Sequence, residues 1–99
     1  MGQEYSVDCL LRMTRTSTVH LCPVAELKWI LEYTEIDEER VEKADLSVPI
    51  LVLMPSKELP RPVVVDGAHR LTKAVRVGDS NILGKLVRNY HIQQCKVAR

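Results

Sequence analysis

The chain has 99 residues, which is room for one domain over 1–99 and no second core. Its 14 Lys+Arg against 13 Asp+Glu leave a formal charge of +1, which argues against a dedicated nucleic-acid clamp with its usual basic excess. At 45% apolar and 27% charged residues the chain falls outside the disordered class. No apolar run approaches the ~18 residues that span a bilayer, and Met1 to Cys9 is mixed polar rather than a secretory leader. One Trp, three Tyr and no Phe mean that the core is built on Val, Leu and Ile.

In chain order, Tyr5 to Leu11 alternates partially and predicts a strand, followed by a polar loop from Arg12 to Thr18. Val19-His20-Leu21-Cys22 is β-prone. Pro23 suits a helix start, and Val24, Leu27, Ile30 and Leu31 share one helical face. Trp29 is expected to cover the helix–sheet core. Asp37 predicts the cap of a second helix, with Glu38 and Glu39 placed to suit the helix dipole. That helix must stop before Val48-Pro49, because a residue before proline avoids the α region. Pro49 to Met54 reads as a central strand, apolar on both faces. Pro55 to Pro62 is a proline-stiffened turn into Val63-Val64-Val65, the expected antiparallel partner. A helix follows, with Asp66 as its cap, Ala68, Leu71, Ala74 and Val75 on one face, and Gly78 to close it. Ile82 to Val87 is the last strand. The class is α/β, or α+β, with a small mixed sheet.

Cys9, Cys22 and Cys95 form no C-x-x-C pair, and His20, His69 and His91 lack zinc-ligand spacing, so no structural metal site is expected. Three free, buried thiols in a reducing, cytoplasmic compartment follow from that reading. His20 and His91 read as ordinary strand or surface residues.

The informative string is Val63-Val64-Val65-Asp66-Gly67-Ala68-His69-Arg70-Leu71. A buried strand runs through a glycine into a helix N-terminus, where free N–H groups and the dipole suit an anion. Gly67 admits a phosphate close to the backbone, and the Arg70 guanidinium offers a fork of donors beside His69. Placing cations there costs about 0.3–1 kcal/mol, which a bound anion would offset. The other reading is that Asp66 only caps, Arg70 pairs with a surface carboxylate and His69 packs. The string is neither a P-loop nor a dinucleotide fingerprint.

This string resembles the ParB/sulfiredoxin-like superfamily, whose mark is an apolar strand, D-G-x-H-R and an Ala-bearing helix ending in Gly, here Val63 to Gly78. Val19 to Leu27 and Pro49 to Leu53 resemble that family's opening strand and its "P-I-x-V" strand, so the likeness spans roughly residues 17–90. The resemblance implies a nucleoside di- or triphosphate (ATP, ADP or CTP) with Mg²⁺. Gly67, Ala68 through its N–H, His69 and Arg70 would hold the phosphates, joined by Arg40 or Lys43 from the preceding helix. Asp66 would cap the helix or bind metal. Ala68 stands where sulfiredoxins carry a cysteine, which argues against sulfinic-acid reduction.

The free-serine-kinase branch shares the non-cysteine middle residue and uses a glutamate between opening strand and next helix as base. The stretch Glu32 to Glu42 holds six carboxylates in eleven residues, and Glu35, then Glu32, best matches that base. Taken simply as charge, such a run is a solvated face. The implied function is therefore nucleotide-phosphate binding, extended to phosphoryl transfer onto a hydroxyl of a small molecule or modified DNA base. The alternatives are a non-catalytic nucleotide- or DNA-associated module and a protein-interaction piece of a plasmid or phage system, working with a protein partner or as a homodimer. Lys85, Arg88, Lys96, Arg99 and Tyr90 are the candidates for touching DNA.

Overall fold

The computed structural model describes residues 4–97. The elements run α1 (Val7–Met13), β1 (Val19–Pro23), α2 (Val24–Leu27) with a 3-10 turn (Lys28–Tyr33), and α3 (Glu38–Lys43). Then come β2 (Ile50–Leu53), β3 (Val63–Asp66), α4 (Ala68–Val77), β4 (Asn81–Val87) and α5 (Asn89–Gln94). The four strands form one sheet in the order β1-β4-β2-β3. The β2–β3 hairpin is antiparallel, as its short connection predicts, and so is β1–β4, while β2 lies parallel to β4. The fold class is thus α/β with a mixed sheet.

Strand β2 is buried on both sides, and its alternation divides the core in two. Ile50 and Val52 join Cys22, Val24, Leu27, Val64, Leu71, Ala74 and Ile82 beneath α2 and α4. Leu51 points the other way, to Leu10, Val87, Ile92 and Cys95 beneath α1 and α5. Both clusters are aliphatic apart from the cysteines. Trp29 does not cover the first of them: its Nε1–H donates to the Pro62 carbonyl at 3.1 Å and the Arg61 guanidinium lies 5.1 Å from its ring, so it ties down the β2–β3 loop.

Two expectations near the ends are corrected. Residues Tyr5 to Leu11 do not form a strand; Ser6 caps helix α1 by accepting from the Cys9 N–H, and Leu10 is its buried residue. The local cap and the spacing of Val7, Leu10 and Leu11 outweigh the partial alternation. Three free thiols are not found either: Cys9 and Cys95 are disulfide-bonded, with Cα atoms 5.6 Å apart, and Cys22 alone is free and buried. The antiparallel Tyr5–Lys96 bridge brings the two ends of the described chain together, which sequence spacing does not reveal. The reducing compartment argued from free thiols loses that support. No helix among the described residues is long and apolar enough to cross a membrane.

His91 is also placed differently from expectation. It is buried in α5, and its Nδ1 accepts from the Arg88 N–H at the helix start.

Candidate functional site

Strand β3 ends at Asp66, and the chain turns through Gly67 (φ 111°, ψ 23°) into α4. A Cβ on Gly67 would lie 2.4 Å from Ile50 Cγ2, so both the left-handed backbone and the close approach to β2 require glycine. The first bond of the helix ladder runs from the Leu71 N–H to the Gly67 carbonyl. The amides of Ala68, His69 and Arg70 therefore lie ahead of the ladder, at the positive end of the helix dipole. Gly78, at φ 80°, closes the helix as its sequence predicts.

The carboxylate of Asp66 does not cap α4, contrary to expectation; Gly67 holds the cap position and no side chain bonds to it. Asp66 instead accepts from Arg70 Nη2 at 3.1 Å, one turn along, in a largely shielded ion pair. Arg70 Nη1 donates to the Val48 and Pro49 carbonyls at 2.9 and 2.7 Å. These bonds lock the guanidinium against the lead-in to β2 and use three of its five N–H groups, leaving two to donate elsewhere. His69 Nε2 accepts from the Asp37 N–H at 3.2 Å. Its proton then sits on Nδ1, and the imidazole joins α4 to the start of α3.

Helix α3 closes the other side. Asp37 caps it as predicted, accepting from the Glu39 N–H. Three side chains of α4 hold it: His69 at its start, Arg76 through a two-pronged pair with Glu38, and Lys73, whose Nζ donates to the Glu42 and Ala44 carbonyls at its end. The bond from Arg76 keeps the Glu38 carboxyl below the usual carboxylate range. Arg40, on this helix, makes no ion pair among the described residues.

Between α3 and the β3–α4 corner lies an open cavity of about 240 Å³ lined by Arg40, Ala44, Asp45, Val48, Asp66, Gly67, His69 and Arg70. Of the residues expected at the site, Arg40, Asp66, Gly67, His69 and Arg70 thus converge on one space, while Ala68 supplies only its place in the first turn. Glu32 and Glu35 do not line it; both are exposed, in the 3-10 turn and just after it. Lys43 points elsewhere, bonding to Glu39 on the outer face of α3.

Asp45 is a cavity residue that the sequence reading missed. Its Oδ1 accepts from the Ser47 hydroxyl at 2.6 Å and the Ser47 N–H at 2.9 Å. Ser47, with smaller help from Lys73 and Arg70, holds its carboxyl low, so it stays ionised. The D-x-S spacing of an Asx turn was the available signal.

Among the described residues no three His, Cys, Asp or Glu side chains gather as a metal cage. Mg²⁺ shared with phosphates needs only one or two protein carboxylates. Asp45 and Asp66 are the two cavity carboxylates that could take such an ion.

The basic residues considered for DNA do not gather here. Lys85 donates to the Thr14 and Arg15 carbonyls, and the Tyr90 ring lies 4.0 Å from that of His91. Arg99 lies outside the described residues.

The crystal structure of sulfiredoxin from Arabidopsis thaliana is similar, with a TM-score of 0.56 over 78% of this chain and 94% of that one, at 15% sequence identity. The fold is sulfiredoxin-like. The sequence itself matches no protein-family model and no curated protein. The sulfiredoxin-like likeness is one of architecture, and the chemistry of this chain rests on its own cavity.

Proposed function

We propose that the chain binds the phosphate end of a nucleoside di- or triphosphate at the β3–α4 corner. The observation that carries this is one open cavity lined by Gly67, His69 and the half-committed Arg70 at the start of α4 and by Arg40, which has no ion pair among the described residues. The guanidiniums are donors suited to phosphate oxygens, and the two carboxylates on the same wall, Asp45 and Asp66, are the groups a phosphate would face across a cation. A bound Mg²⁺ would neutralise phosphate charge, and Asp45 and Asp66 are the residues placed to hold it. His69 positions rather than donates through Nε2, since that atom accepts from Asp37.

Titration calorimetry with ADP and Mg²⁺ tests the reading. Arg40→Ala is expected to weaken binding about tenfold, from loss of roughly 1.5 kcal/mol of charge-assisted bonding. The Arg40 side chain makes no ion pair among the described residues, so the melting temperature should stay unchanged. Arg70→Ala should abolish binding and also loosen β2. Wild-type protein that shows no heat with ADP, or Arg40→Ala protein that binds like wild type, would remove the proposal.

Phosphoryl transfer to a hydroxyl is a second reading, favoured by the two carboxylates on the cavity wall. Release of ADP from ATP and Mg²⁺, with water standing in for the acceptor, measures it. If a cavity carboxylate serves the reaction, Asp45→Asn lowers the rate by a factor of ~10² or more while affinity changes a few-fold. Glu32→Gln and Glu35→Gln then leave the rate alone; a loss in either would return the base to the acidic stretch. Absence of ADP release from the wild type would leave a non-catalytic nucleotide module. DNA association and a protein partner or second copy belong to that module reading.

A further inference from the structure

Resting on the phosphate-site reading above, we infer that this site recognises a diphosphate and is indifferent to the base, taking inorganic pyrophosphate and nucleoside diphosphates alike. Base discrimination needs groups that read a base edge, and a base also gains from a ring to stack on. The chain has four aromatic residues, one Trp and three Tyr, and the structure places all of them away from the cavity. Trp29 is bonded to Pro62 and faces Arg61, and Tyr33 meets it edge-on at 6.1 Å between centroids. Tyr90 lies against His91. Tyr5 packs with the second core cluster; its hydroxyl feels the Asp66 charge, yet it does not line the cavity.

The wall itself repeats the point. Its polar side chains are two guanidiniums, two carboxylates and one imidazole, with no Asn, Gln, Ser or Thr side chain among the lining residues. Each carboxylate has one oxygen engaged, Asp45 Oδ1 by Ser47 and Asp66 Oδ2 by Arg70, and on the phosphate-site reading the other faces the cation rather than a base edge. His69 is the one ring on the wall, and stacking on a ring accepts every base. At about 240 Å³ the cavity is smaller than the ~300–1,000 Å³ of pockets that enclose whole small molecules. It seats phosphates and leaves sugar and base outside, in solvent.

Calorimetry on the full chain, with Mg²⁺ and each of pyrophosphate, ADP, GDP, CDP and UDP, separates the outcomes. Dissociation constants agreeing within about threefold across the four bases, and pyrophosphate within tenfold of them, are expected. Arg40→Ala should weaken all five by a common factor, which places them at one site. One nucleotide binding more than tenfold tighter than the others overturns base indifference and leaves the phosphate site standing. Binding by none of the five, pyrophosphate included, overturns the site and this inference with it.

Discussion

A Gly67→Ala variant is expected to lose roughly 2–6 kcal/mol of stability and its phosphate binding together. Two costs combine. The backbone at φ 111° disfavours any L side chain, and such strain runs to about 1–3 kcal/mol. The new methyl would also meet Ile50 Cγ2 at 2.4 Å and Ile50 Cβ at 2.8 Å. Ile50 is fully buried in the sheet's central strand, so it has nowhere to yield, and overpacking of this kind costs about 1–3 kcal/mol more. Because the residue opens α4, any shift that relieves the clash also moves the first-turn amides. Gly78→Ala is the matched control: its φ is also left-handed, at 80°, but a Cβ there meets nothing within 4 Å. It should cost only the backbone share, ~1–2 kcal/mol. Urea midpoints measure both, and equal losses for the two variants would show that the corner against β2 is not tight.

Opening the Cys9–Cys95 bond is the second large effect. The bond closes a loop with a sequence separation of 86 residues. By the chain-entropy argument a loop of this length is worth about 4–5 kcal/mol, with measured bonds spread over ~2–5. The protein should therefore unfold at markedly lower urea after reduction, and the Cys9→Ser, Cys95→Ser double variant should match the reduced form. Thiol titration in denaturant checks the premise: one reactive thiol, that of Cys22, is expected before reduction and three after. In the folded protein Cys22 should react slowly, since burial both shields the thiol and pushes its titration upward. Three thiols in the unreduced denatured chain would refute the bond.

Where local signals agreed, the chain could be read directly. The hairpin from Ile50 to Asp66 and the helix between Gly67 and Gly78 carry their apolar runs, turn prolines and terminal glycines in order, and the structure has them there. The same string carries Gly67, His69 and Arg70 to the cavity. What pattern could not supply is partnership across long separations. Arg70 is committed to Val48 and Pro49, His69 to the Asp37 amide, and Cys9 to Cys95, and none of these pairs is written in spacing. Asp66 shows the same limit: a carboxylate before a helix suits capping, but a glycine in the cap position and an arginine one turn on drew it sideways. Short elements were the other loss. Helix α1 has one buried residue and α5 two, too few for a period to stand out.

The disulfide also bears on how quickly the sheet can assemble. Val19 of β1 must find Lys85 of β4, residues 66 apart along the chain (85 − 19), before the strand order is complete. Val19, however, lies ten residues after Cys9, and Lys85 ten before Cys95. Once the thiols are joined, the search between these two strands runs over about twenty residues instead, which lowers its closure entropy by about 1 kcal/mol. The oxidised chain thus begins refolding with the sheet's least local strand pairing made nearly as local as the hairpin, and its kinetics should follow the redox state of two cysteines that stand well apart from the phosphate corner.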